Sequence, residues 1–160
     1  MTKNDMELLY DKYSGSVYRL AVSYCKNSAD AEDIVQEVFM KLFSADMDFP
    51  DERSEKAWIM TVTANKCRDM LRSLAYKCFH HSVALEDADL IYETPQESAV
   101  YHAVMGLPPK YRIVIHLYYY EGYSTAETAK IIGISETAVQ TRLYRGRNLL
   151  KKSLGEDVCV

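Results

Sequence analysis

Apolar side chains recur every three or four residues along almost the whole chain, a period that suits helix and little else. Between Asp5 and Lys26 they fall at Leu9, Tyr13, Val17, Leu20 and Tyr24. The stretch "NSADAED" supplies turn and N-cap residues, with acids at a helix start. A second helix follows, with apolar pairs at Ile34/Val35, Val38/Phe39 and Leu42/Phe43 and polar Asp33, Gln36, Glu37 and Lys41 between them. One face packs and the other shows carboxylates to solvent. "SADMDFPDERSE", with Pro50, reads as a loop, and a third long helix is expected to begin near Glu55 and to run through "KAWIMTVTANKCRDMLRSLAYKC". The acidic stretch ending at Pro95 reads as a linker, and a second helical region begins near Gln96. The expectation is an all-α protein of two small helical domains, 1–78 and 96–160, joined by an acidic linker at 79–95.

Charge is segregated along this frame. The net charge is −4, which argues against strong, indiscriminate binding to naked DNA. Residues 81–98 hold five acids and no Lys or Arg, a local charge of −5, whereas residues 135–152 hold five cations against Glu136, a local charge of +4. Such blocks imply different partners for different segments. No apolar run is long enough to span a bilayer, and "MTKNDMELLYDKY" has no apolar signal core, so a soluble, cytoplasmic protein without membrane insertion is expected. Cys25, Cys67, Cys78 and Cys159 are scattered without a CxxC pair. His80 and His81 stand near Cys78, but a helix end is the expected reading, and no metal or cofactor is expected.

The most specific local pattern is "STAETAKIIGISETAVQTRLYRGRNLLKK", which has the layout of a helix-turn-helix. Ser124 and Glu127 form a capping box, with Ala126, Ala129, Ile131 and Ile132 as packing positions. Gly133 makes the turn, Ile134 plugs the core and Ser135 caps the second helix. On that helix Val139, Leu143, Gly146, Leu150 and Leu154 share one side, and Thr137, Thr141, Tyr144, Arg145, Asn148 and Lys152 the other. The competing structural reading is a cationic solvated helix in an ordinary bundle. Turn, caps and basic face coincide, which favours DNA.

With these segments in view, almost the whole chain resembles the extracytoplasmic-function (ECF) group of bacterial RNA polymerase sigma factors, within the sigma-70 family. "DAEDIVQEVFMKLF" resembles the group's second conserved segment, "AWIMTVTANKCRDMLR" its promoter-melting helix, and "LPPKYRIVIHLYYYEGYSTAETAKIIGISETAVQTRLYRGR" its C-terminal domain. The resemblance implies a transcription-initiation factor that is not itself an enzyme. Its implied partners are core RNA polymerase, through the β′ coiled coil and β flap, promoter DNA and an anti-sigma factor. It implies sigma region 2, for docking and −10 melting, at 1–78, and region 4, for −35 recognition, at 96–160.

The resemblance also implies roles for residues. Asp33, Gln36 and Glu37 match the polymerase-docking face, where carboxylates take charge-assisted bonds from arginines. Asp30 and Glu32 are better read as acids at a helix N-terminus. Asn65 sits where an unpaired −10 base is captured, since an amide donates and accepts together. Lys66, Arg68 and Arg72 supply cations for that strand, with Lys56 beside them. Trp58 has two readings, core packing and base stacking. Thr137, Gln140, Thr141, Tyr144 and Arg145 match base-reading or nearby positions, and Arg142 and Arg147 suit phosphate or local ion pairing. Where the group often has Gly-Thr before the Val and a cation after it, this chain has Thr137-Ala138, Val139 and Gln140. Gln suits adenine where a cation would favour guanine, so an altered −35 preference is expected.

The acidic linker has two readings, occupancy of basic polymerase channels and plain solvation. Two competing functions differ in what they require. A stand-alone helix-turn-helix regulator with an N-terminal sensing domain would bind duplex tightly without polymerase. A helical metal-dependent hydrolase would need a clustered ligand set that the chain does not display.

Overall fold

The computed structural model describes residues 2–77 and 95–155, and their side chains except at 74–77 and 95–97. Seven α-helices and one π-helical turn account for most of these residues, with no strand among them. They fall into two compact units, one within 1–84 and the other within 85–160. The expected linker therefore lies outside the described residues except for Pro95, which opens a helix instead of closing a linker. Cys78, His80, His81 and Cys159 also lie outside them.

The first unit is a bundle of α1 (Lys3–Cys25), α2 (Ser28–Ser44) and α3 (Glu52–Lys77), each packed on the other two. Helix α1 starts before Asp5 because Thr2 caps it, accepting from the Asp5 N–H at 3.2 Å while Asp5 accepts from the Thr2 N–H at 2.9 Å. Its far end turns through Lys26, at φ 52°, into Asn27, whose side chain accepts from the Asp30 N–H at 3.1 Å and starts α2. Helix α3 likewise begins ahead of Glu55, because Asp51 accepts from the Ser54 N–H at 2.7 Å. The inward stripe, Val17, Leu20, Ile34, Val38, Leu42, Ile59 and Met60, is buried, and the Tyr13 hydroxyl donates to Glu55 at 2.8 Å to tie α1 to α3.

The second unit comprises α4 (Pro95–Met105), α5 (Pro109–Ile115), a π-helical turn at His116–Tyr120, α6 (Thr125–Ile132) and α7 (Glu136–Leu154). Pro109 stands in the first turn of α5, where a missing N–H costs little. Buried Arg112 donates to the Leu107 carbonyl at 3.0 Å, closing the corner between α4 and α5. After the π turn, Gly122 adopts φ 74° and releases the chain into α6. Two expectations need correction. Ala126 is exposed, because the Ser124 cap points that first-turn position outward, and Ile134 is half-buried at the turn instead of plugging the core. Helix α7 is the hub of this unit, touching α4, α5 and α6.

Candidate functional site

In the first unit the apolar stripe of α2 fixes which residues face out. With Ile34, Val35, Val38 and Phe39 buried, Asp33, Gln36 and Glu37 are all exposed on one polar face. Asn65 of α3 is exposed as well, and its Oδ1 accepts from Arg68. That contact orients the amide by using its acceptor. Lys66 Nζ lies 3.8 Å from Glu37 Oε2, and Arg72 lies 3.9 Å from Asp69. The expected docking acid and one expected strand-binding cation are therefore neighbours. Trp58 is half-buried with its ring centroid 5.7 Å from that of Phe49, a packing contact made by the loop ahead of α3.

Cys67, at the centre of α3, is fully buried against α1. A hydrogen-bonding contact with Cys25, then burial, push its thiol far above the usual range, so it stays protonated and apolar in behaviour. Among the described residues no group of three or more His, Cys, Asp or Glu is arranged to hold a metal, and no described helix is long and apolar enough to cross a membrane.

In the second unit α6 and α7 form the expected helix-turn-helix. The Ser124–Glu127 capping box closes from both sides, at 3.1 and 3.3 Å, and Gly133 turns the chain at φ 73°. Ser135 accepts from the Ala138 N–H at 3.1 Å to start α7. Thr125 Oγ1 donates to Glu136 at 2.7 Å, fastening the two helix starts together and turning the lone acid of α7 towards α6. Burial of Val139, Leu143, Gly146 and Leu150 leaves Thr137, Gln140, Thr141, Tyr144 and Arg145 exposed. Tyr144 is 65% exposed, too much for a core role.

Three details were out of reach of periodicity. The Thr141 hydroxyl donates to the Thr137 carbonyl at 3.0 Å, which leaves its methyl and oxygen lone pairs for a partner. Arg147 is half-buried, and its Nε donates to the Tyr119 hydroxyl at 2.6 Å with the guanidinium over the Tyr118 and Tyr119 rings. Neither local ion pairing nor a free phosphate ligand anticipates that tyrosine seat. Arg142 is half-buried and lines an open groove together with Lys110 of α5.

Two exposed surfaces of opposite character, one acidic on a three-helix bundle and one cationic on a helix-turn-helix, now have parallels. Residues 9–87 match sigma-70 region 2 and residues 97–150 match sigma-70, region 4. The chain is 30% identical to the ECF RNA polymerase sigma factor SigL of Mycobacterium tuberculosis, over 94% of this chain and 89% of that protein. The chain belongs to the ECF RNA polymerase sigma factors. It is a promoter-specificity factor for transcription initiation, and its partners are core RNA polymerase and promoter DNA. It is also 30% identical to the ECF sigma factor BldN of Streptomyces coelicolor, where it spans 93% of itself but 60% of that protein's length. Among solved structures, CnrH in complex with the cytosolic domain of CnrY matches 98% of this chain and 92% of its own, with TM-score 0.70 and 26% identity. RpoE from Bartonella quintana, in complex with the anti-sigma factor NepR, shares the fold at TM-score 0.78 and 24% identity, over 96% of this chain and 99% of its own.

Proposed function

We propose that this sigma factor divides its work between its units, with docking and −10 melting in 1–78, a connector at 79–95 and −35 recognition in 96–160. Asp33, Gln36 and Glu37 take the β′ coiled coil of core polymerase, and the β flap meets the second unit. Asn65 captures an unstacked −10 base, while Lys66, Arg68 and Arg72 follow the strand's phosphates. Trp58 serves mainly to hold Phe49 and the loop before α3, with a remaining ring face for stacking. On α7, Thr137, Gln140, Thr141, Tyr144 and Arg145 meet the base edges, and Arg142 and Arg147 meet phosphates on either flank.

The observation that carries this reading is the sorting of charge by surface. The exposed residues of α2 include Glu32, Asp33 and Glu37 against the single cation Lys41, a net negative face that disfavours DNA, whereas beyond Glu136 the exposed residues of α7 are hydroxyls, amides and cations. The chain has no catalytic role of its own, since polymerase performs the nucleotidyl transfer, and it works in the cytoplasm beside the polymerase. An anti-sigma factor is a further partner in this reading, supported by the similarly folded RpoE from Bartonella quintana, which stands in complex with the anti-sigma factor NepR.

The experiment is core-polymerase capture followed by run-off transcription with Asp33→Arg/Glu37→Arg. Both sites are exposed, so the fold should survive while capture falls. Full capture by a well-folded double variant would remove the docking assignment. A stand-alone regulator would instead bind duplex promoter tightly without polymerase and would not initiate transcription with it.

A further inference from the structure

One cluster in the first unit has no part in docking or in DNA binding. Three sulfur atoms meet where the end of α1 packs on the middle of α3. Cys25 Sγ lies 4.0 Å from Met70 Sδ, and Cys25 is also in hydrogen-bonding contact with Cys67. Cys67 and Met70 are three apart on α3, so they share one face of that helix. Cys67 is buried, whereas Cys25 and Met70 are half-buried, which gives a small ion a way in from solvent.

The chemistry open to this set is narrow. Two thiols and a thioether are soft donors, suited to monovalent copper and poorly suited to magnesium or calcium. Zinc asks for four ligands drawn from Cys, His and carboxylates, and among the described residues no group of even three of these is gathered. Met70 falls outside that class and is the third donor here. A metal–sulfur bond of about 2.3 Å places two donors of a trigonal set about 4.0 Å apart. Cys25 and Met70 already stand at that separation. Contact with Cys25, then burial, hold the proton on Cys67, and the Arg68 guanidinium opposes them. A bound metal ion overrides such a preference, because a coordinating thiol gives up its proton outright.

We propose that Cys25, Cys67 and Met70 form a Cu(I) site that ties the end of α1 to the middle of α3. The ion bonds to two thiolate sulfurs and one thioether sulfur. Two S–H bonds break, both protons leave to solvent, and no electron changes hands. Cys67 stands on the same turn of α3 as Asn65, Lys66 and Arg68, so an occupied site stiffens the helix that carries them. The inference does not rest on the DNA roles given to those three residues.

The test uses the full chain carrying Cys78→Ser and Cys159→Ser, reduced and free of oxygen, so that Cys25 and Cys67 are its only thiols. Cu(I) is titrated in competition with a chromophoric Cu(I) chelator. One ion should bind per chain, with three sulfur neighbours in X-ray absorption. Since two protons leave, the apparent affinity should rise with pH, by up to about a hundredfold per unit. At a hundredfold excess of free ion over Kd, the thermal midpoint of the first unit should rise by roughly 10–20 °C. Cys25→Ser should abolish one-to-one binding. Met70→Leu keeps the side-chain volume, and it should weaken binding and reduce the sulfur count to two. Both positions are half-buried, so these variants carry the test even where a change at buried Cys67 disturbs folding. No uptake by the starting chain, uptake that survives Cys25→Ser, or a Met70→Leu variant with unchanged affinity and sulfur count would overturn the proposal.

Discussion

Gly146 offers a direct test of how α5 and α7 cooperate. Glycine in a helix interior costs about 1 kcal/mol relative to alanine, so Gly146→Ala gains roughly that much in propensity. Against this, the new Cβ would meet Ile115 Cγ1 at 3.2 Å, Ile115 Cδ1 at 3.4 Å and Tyr111 Cβ at 3.4 Å. Ile115 is 1% exposed and has little room to withdraw, so the neighbours must yield by a few tenths of an ångström. The two effects nearly cancel, and Gly146→Ala should lie within about 1 kcal/mol of wild type. Gly146→Leu drives three further carbons into the same contact. Overpacking of that kind costs about 1–3 kcal/mol, and each kcal/mol lowers the midpoint of a unit this size by about 4–8 °C. The assay is thermal denaturation of the full chain followed by circular dichroism, with core capture and −35-dependent transcription in parallel. Transcription should fall with Gly146→Leu while capture through the first unit persists. A Leu variant as stable as wild type would show that the close approach does not constrain α5 and α7.

The remaining perturbations address single contacts. Asn65→Ala should impair promoter opening more than closed-complex formation, read as permanganate reactivity in the −10 bubble, since in the proposed role the amide acts only on an unstacked base; normal reactivity counts against it. Gln140→Arg should shift one −35 position from adenine towards guanine by about one to two powers of ten in a promoter library, whereas an even loss over all sequences would show that Gln140 reads none. Tyr119→Phe removes the acceptor of Arg147 Nε, held at 2.6 Å, and should weaken all promoters evenly by a few-fold in holoenzyme binding, as loss of a partly exposed charge-assisted bond of about 1 kcal/mol would. An unchanged affinity would make the tyrosine seat dispensable.

Helical periodicity carried most of the fold because the buried stripes of α1, α2 and α7 repeat at three and four with few interruptions. The turn chemistry around α6 was equally plain, since Ser124, Glu127, Gly133 and Ser135 are separate local signals that agree. Starts of α1 and α3 were missed by a few residues because Thr2 and Asp51 cap with single side chains ahead of any apolar repeat. The π turn at His116–Tyr120 had no signal, because "IVIHLYYY" continues the apolar run through it. Within the site, exposure of Asp33, Gln36 and Glu37 followed from the period alone. The seat of Arg147 on Tyr119 and the groove that Lys110 and Arg142 both line did not. Each joins residues distant in sequence, through an approach that only the packing at Gly146 and the π turn creates.

In the proposed reading Glu37 stands where the two functions of the first unit meet, and its contact with Lys66 bounds how strongly they would be coupled. The two charges stand 3.8 Å apart, with side chains 51% and 33% exposed. An ion pair so open contributes at most about 1 kcal/mol, so it biases Lys66 without locking it. If polymerase arginines take Glu37 as proposed, Lys66 would be released towards the strand, and docking would favour −10 engagement by at most about fivefold. Glu37→Gln imitates the release without polymerase. Free chain carrying it should bind a single-stranded −10 oligonucleotide up to about fivefold more tightly at low salt, with the gain fading as salt screens the pair. Its affinity for core polymerase should fall, because a neutral amide cannot replace the charge-assisted bond. Fluorescence anisotropy on the labelled oligonucleotide and capture by core polymerase read the two effects. A gain well beyond tenfold would mean that Glu37 is a lock and that the exposure of the pair misrepresents it. No gain at any salt would mean that Lys66 does not touch the strand, or that the pair does not hold it back.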